Sequence, residues 1–318
     1  MPQLRSLKFL GVFEKFDILG DGLFNADFDK WSTQRKMAHS SFRSAQFRTF
    51  LADVTRKIVD DKLIPLLVDL ARKGCCLDLK DVMSRFTFET TVATVYGRDL
   101  GYLSPEFPTN EFLQVVENAE EAMLYRFALP TFVWKLMRWL KVGTEKKYSK
   151  AWATGDALSA EFISQTREEL LQGVETNTTL AIYIKSQKDV SDKLLRDNML
   201  TFNIAGQSTT AASLSWFFWL VCKNPHVEAK ILEELGFVFS EKMNKLLQVK
   251  GILMRENEGY GGHGWCLMKV MSGLVYLHAA FCETLRLYPP VKFNTRGVLK
   301  EDVLPDGSVV RPGNLGCM

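Results

Sequence analysis

Hydrophobic positions recur along most of this chain at the spacing of a helix rather than in strict alternation. The pattern predicts amphipathic helices over 43–72, 80–97, 110–125 and 147–172. A longer one starts at Ser191, a candidate N-cap followed by Asp192, where the helix dipole favours an acid. It should end at Asn224-Pro225, with Asn224 capping the next helix and Pro225 in its first position. Those roughly 31 residues would span about 46 Å. After 290 the texture changes to short branched runs, and Asp306-Gly307 between Val303-Leu304 and Val309-Val310 predicts a hairpin. The fold class expected is mainly α, with a small β portion near the C-terminus.

The long helix raises two questions. Met199 to Cys222 carries no charged side chain, but polar residues from Asn203 to Ser215 crowd it, and its apolar part, Leu214 to Cys222, is too short to span a bilayer. It reads as the central helix of a large domain. Its middle, NIAGQSTTAASLSWFFWL (203–220), places Phe202, Ala205-Gly206, Thr209-Thr210 and Ser213 at helical spacing on one small-residue face. Gly costs about 1 kcal/mol there and each Thr several tenths. A mid-helix Thr can bond back to the carbonyl one turn earlier. Two readings stand: close helix packing over small side chains, or a groove for a flat cofactor.

Composition narrows the classes. The chain has 318 residues, and its net charge of +3 gives no basic footprint for nucleic acid. Its six cysteines form no CxxC pair or disulfide framework, and its four histidines show no zinc spacing. The opening MPQLRSLKFLGVF has no run long enough for a signal peptide or spanning helix. FALPTFVWKLMRWLKVGTEKK (127–147) is basic, aromatic and amphipathic. It suits a membrane surface, with Trp134 and Trp139 at the interface and Lys135, Arg138 and Lys141 toward headgroups, and equally a core-packed helix.

Three motifs in order resemble the cytochrome P450 family. Ala205-Gly206-x-x-Thr209-Thr210 is similar to its oxygen-binding motif. Glu283-Thr284-Leu285-Arg286-Leu287-Tyr288-Pro289-Pro290 is similar to its Glu-x-x-Arg helix and exit. Trp31-x-x-x-Arg35, preceded by GDGLFNADFDKW, resembles the propionate-holding helix of the plant long-chain fatty acid and alkane hydroxylases, with the mid-chain alkane hydroxylases as the branch expected.

The resemblance implies haem (iron protoporphyrin) as cofactor, held by Trp31, Arg35, Ala205, Gly206, Thr209 and Arg296. Thr209, Ser208 and Gly206 would line the oxygen site, Ser208 standing where the family usually has an acid and Gln207 where Arg is commoner. Glu283 and Arg286 would form a buried structural ion pair. An NADPH-dependent reductase and a long-chain aliphatic substrate would be the partners, at the cytosolic face of the endoplasmic reticulum membrane.

The departures set further expectations. Residues 1–318 read as a single partial monooxygenase domain, incomplete at both ends, without the family's N-terminal anchor. Residues 248–272 read as an aberrant insertion, and 314–318 as a tail outside the family pattern. Gly259-x-Gly261-x-x-Gly264 lacks the strand context of a nucleotide site. The thiolate loop is absent, Cys317 is not expected to ligate iron, and no metal ligand is assigned. The chain as written is expected to be inactive. The alternative is a non-catalytic helical protein that associates with lipid or membrane.

Overall fold

The computed structural model describes residues 17–74, 76–108, 111–186, 190–253, 273–292, 295–298, 300–312 and 315–317. The order is α1 (Phe28–Arg43), α2 (Ala45–Ile58), a π-helical turn (Val59–Leu63), α3 (Ile64–Arg72), α4 (Leu79–Tyr96) and α5 (Glu111–Ala128). Then come α6 (Thr131–Leu140), α7 (Gly143–Leu171), α8 (Thr179–Ser186), α9 (Asp192–Lys223), α10 (Pro225–Leu253) and α11 (Val275–Leu287). Strands β1 (Thr295–Gly297) and β4 (Leu315–Cys317) pair antiparallel, as do β2 (Asp302–Val303) and β3 (Val309–Val310). The mainly α reading holds. So does the hairpin: Val303 faces Val309, and Gly307 takes φ +86° in the turn.

The expected helix over 43–72 is three pieces. Ser44 breaks it from α1, and its hydroxyl accepts from Phe47 N–H to start α2. The ladder then widens into the π turn just before Pro65. A proline ring clashes with the carbonyl four residues back, and the wider turn relieves that. Residues 248–253, read as the start of an insertion, continue α10, which no proline interrupts after Pro225. Residues 254–272, with the glycine motif, lie outside the described residues.

Helix α9 runs as expected over 32 residues, Ser191 Oγ accepting from Leu194 N–H. Asn224 acts differently from the cap expected of it. Its side-chain amide donates to Leu220 O, closing α9, while only its backbone carbonyl accepts from α10. No helix among the described residues is long and apolar enough to cross a membrane.

The core forms where α4 and α5 pack with α7, α8 and α9. Phe88, Val92, Tyr96, Phe112, Phe162, Leu195 and Met199 make one apolar cluster. Phe88 and Phe112 meet edge to face at 5.4 Å, and Tyr96 and Phe162 lie 4.9 Å apart. The loop at 17–26 is fastened to α9: Asp21 N–H donates to Asp197 Oδ2 at 2.8 Å and Leu23 N–H to Asn198 Oδ1 at 3.2 Å.

Candidate functional site

The small-residue segment of α9 does not form the single face its spacing suggested. Gly206 turns toward α4, where an added Cβ would stand 3.0 Å from Thr91 Oγ1 and 3.1 Å from its Cγ2. That glycine is there for close helix packing. Gln207, only 2% exposed, turns inward as well. Thr210 is exposed. Ala205 and Thr209, one turn apart, are left half-buried and form a shallow notch. Thr209 donates its hydroxyl to Ala205 O at 2.6 Å, the back-bond anticipated for a mid-helix threonine. With its proton committed, Thr209 Oγ1 offers lone pairs to the notch.

Two walls flank the notch. On one side, Phe202 meets Phe42 of α1 with ring centroids 5.1 Å apart. Trp31, Arg35, Ala38 and Phe42 recur at helical spacing, so one stripe of α1 carries them. Arg35 lies two turns, about 10 Å, before Phe42. It is exposed and makes no ion pair among the described residues. Trp31 is half-buried. On the other side stands α5. Ile204 of α9 packs against the cluster containing Ala119, Ala122 and Met123. One turn on, Ser208 leaves the notch and meets the Glu120 carboxyl. Burial pushes Glu120 upward, the Ser208 hydrogen bond works against that, and Glu117 adds to it; the net direction is up.

The sequence-stated sites farther along the chain divide. Glu283 and Arg286 do pair, Nε to Oε2 at 2.8 Å and Nη2 to Oε1 at 2.6 Å. The pair is not buried as expected: the side chains are 54% and 66% exposed. Helix α11 packs on α9 and α10 through its other face, including Phe281 against Phe217. An exposed pair contributes little to stability. Arg296 lies in β1 and Cys317 in β4, paired strands whose side chains fall outside the described residues.

Of the two readings left open for 127–147, Trp134 takes the core-packed one. It is 2% exposed, and the guanidinium of Arg126 lies 5.1 Å above its ring. Trp139 is 77% exposed on the outer side of α6, with Phe132, Leu136 and Leu140. Arg126, fully buried, escaped sequence reading. It donates to Glu145 through Nε at 2.6 Å and Nη2 at 2.8 Å, and to Asp17 through Nη1 at 2.8 Å. Its signal in the sequence is a single Arg at the apolar end of α5. A cavity of about 630 Å³ lies elsewhere, between α7 and the start of α9. Most of its charges are already paired: Arg196 with Asp156 and Asp197, Arg167 with Asp192.

Comparison with known proteins bears on this arrangement. The family profile described as Cytochrome P450 matches residues 10–315. Cytochrome P450 86B1 of Arabidopsis thaliana is 37% identical over 94% of this chain and 53% of its own length. Noroxomaritidine synthase 2 of Narcissus pseudonarcissus is 35% identical over 94% of the chain and 56% of its own length. Alkane hydroxylase MAH1 of Arabidopsis thaliana is 33% identical, over 93% and 56%. The chain thus spans about half the length of the curated relatives it matches. The solved cytochrome P450DA heme domain superposes with TM-score 0.70 at 18% identity, covering 96% of this chain and 61% of that one, which is a likeness of fold. With a profile match over nearly its whole length and relatives above 30% identity, this chain belongs to the cytochrome P450 family.

Proposed function

We propose that this chain is the central part of a haem-thiolate monooxygenase that hydroxylates long-chain aliphatic substrates. O2 and electrons from an NADPH-dependent reductase would be consumed, at the cytosolic face of the endoplasmic reticulum membrane. The observation that carries the reading is the half-buried Ala205–Thr209 notch of α9, together with an exposed Arg35 on α1 that makes no ion pair among the described residues, in a chain of this family. Similarity to a P450 at 37% and to an alkane hydroxylase at 33% supports the substrate class.

The residues present fit one face and one edge of a haem. Ala205 is small enough for a flat macrocycle to approach α9, and Arg35 is an exposed planar donor for a carboxylate. When bound, haem supplies the oxygen chemistry. The chain's own residues do the rest. Arg35 and the Trp31 indole N–H would bind propionate, with Arg296 as a second partner. Thr209 Oγ1 would accept a hydrogen bond from a donor in the notch. Gly206 lets α4 close behind α9 and fixes the notch floor. Glu283 and Arg286 remain an exposed ion pair on α11, and Cys317 is not assigned to iron. The outer side of α6 would lie at the membrane surface, with Trp139 at the interface and Lys141 toward headgroups.

Haem titration of the purified chain, followed by absorbance and by the reduced, carbon-monoxide-bound spectrum, tests the site. Saturable binding is expected, and Arg35→Ala should weaken it about tenfold or more, since a charge-assisted hydrogen bond contributes about 1.5–3 kcal/mol. Binding that never saturates, or that ignores Arg35→Ala, overturns the assignment.

A further inference from the structure

We propose that the cavity between α7 and the start of α9 is a binding site for a protonated aliphatic amine. The inference does not rest on the haem reading: Lys193 in the cavity wall and Ala205 in the notch are 12 residues apart on α9, about 18 Å. At about 630 Å³ the cavity has the size of a small-molecule site. Its α7 wall is one helical stripe that runs from Trp152 through Ala160 and Ile163 to Leu171. The site is therefore elongated, and its middle is small and apolar. Trp152 closes one end. Its indole N–H donates to Asp156 Oδ2 at 3.0 Å, and the Arg196 guanidinium lies 5.4 Å from the ring centre. At the other end Leu171 is 88% exposed, a large apolar side chain turned to water.

Charge selects the ligand. The lining holds four carboxylates, Asp156, Glu168, Asp192 and Asp197, and three cations, Arg167, Lys193 and Arg196. Every one of those cations is engaged. Arg167 Nη2 meets Asp192 at 2.8 Å, and Arg196 meets Asp156 through Nε and Asp197 through Nη1 at 2.7 Å. Lys193 reaches Asp21 at 2.9 Å and Asp197 at 3.2 Å. Glu168 is the lining carboxylate left without an ion pair among the described residues. Its place in the helix reinforces this. Glu168 and Leu171 lie in the last turn of α7, which carries no basic side chain, so the negative end of that helix dipole has no cation of its own. The positive end of α9 is already answered by the Ser191 cap and Asp192. An ammonium group at Glu168 is thus attracted by carboxylate and dipole together, with its alkyl chain laid along Ala160 and Ile163 toward Trp152. A carboxylate of the same length meets both with the wrong sign.

Fluorine NMR of the full chain labelled with fluorotryptophan tests this, with the Trp152 signal assigned by its loss in Trp152→Phe. The probes are decylammonium, decanol and decanoate at neutral pH, below micelle-forming concentrations. The Trp152 signal should shift saturably, with affinity falling in the order amine, alcohol, carboxylate. Glu168→Gln should weaken decylammonium by about threefold to fivefold, the range of an exposed ion pair, and leave decanol unchanged. Leu171→Asn should weaken all three probes alike. If Trp152→Phe does not fold, calorimetric titration of Glu168→Gln and Leu171→Asn, both at exposed positions, reads the same pattern. No saturable binding, decanoate binding as well as the amine, or an amine-to-alcohol ratio that Glu168→Gln leaves in place overturns the proposal. A shift at Trp31 instead of Trp152 would place the ligand near the notch and overturn it as well.

Discussion

Replacing Arg126 by methionine keeps most of the side-chain volume and removes the charge. Arg126 is 0% exposed, and Glu145, which it holds through two hydrogen bonds at 2.6 and 2.8 Å, is 1% exposed. Breaking a buried pair from one side costs about 3–5 kcal/mol, because the other charge is left uncompensated. Here the low end applies. Glu145 keeps Arg138 at 3.1 Å, a partner that is itself 40% exposed, and Asp17 keeps Arg138 at 2.7 Å. About 3 kcal/mol is therefore expected. Removing both partners together, as Arg126→Met with Glu145→Leu, leaves no orphaned charge and should cost about 2 kcal/mol or less. Urea unfolding followed by circular dichroism measures this. With a slope of about 3 kcal/mol per molar, the single variant should unfold at about 1 M less urea. The double variant should fall back toward wild type, giving a coupling energy of at least about 2 kcal/mol. A single-variant loss under about 1 kcal/mol, or additive losses, would refute the reasoning.

Gly206→Ala should destabilise by about 1 kcal/mol despite Ala's helix propensity. Its Cβ meets Thr91, a β-branched side chain fixed by its own bond to Thr87 O at 2.7 Å. Gly206→Ala with Thr91→Ala removes that collision, so its midpoint should rise above that of Thr91→Ala alone. Acid unfolding reports on Asp99, whose carboxyl is pushed down to about 2, first by Glu89, against the opposing effect of burial, and then by Lys62. A depressed carboxyl stabilises above its unfolded value near 3.9, and that stability is lost as pH falls toward 2. Lys62→Met should flatten this part of the stability–pH curve, and an unchanged curve counts against the interaction. For α6, quenching of tryptophan emission by brominated lipid should be strong in wild type and mostly lost in Trp139→Phe, with Trp134→Phe changing little. The reverse ranking would mean that the outer side of α6 does not meet the lipid.

Much of the fold was readable because local signals govern its elements. The cap at Ser191, the Asn224-Pro225 junction and the Asp306-Gly307 turn each act within a few residues. What was not readable came from tertiary contacts. Trp134 and Trp139 look alike in an amphipathic pattern, and only the docking of α6 beside Arg126 separates them. Gly206 and Ala205 are neighbours in a motif, yet α4 takes one and leaves the other to the notch. Glu120 carries no motif, because its partner is 88 residues away. The Glu283–Arg286 pair was legible as a pair from its i, i+3 spacing, while its exposure depends on what covers α11.

The fastening of the 17–26 loop to α9 has a consequence for synthesis. Leu23 N–H finds its acceptor on Asn198, 175 residues later. Chains grow at about 5–20 residues per second, so this segment waits roughly 9–35 s on the ribosome before its docking surface exists. Throughout that interval the backbone amides of Asp21 and Leu23 are nascent chain without their α9 partners. The earliest part of the described fold is therefore among the last to settle, and a chaperone that holds nascent segments would have its longest opportunity there.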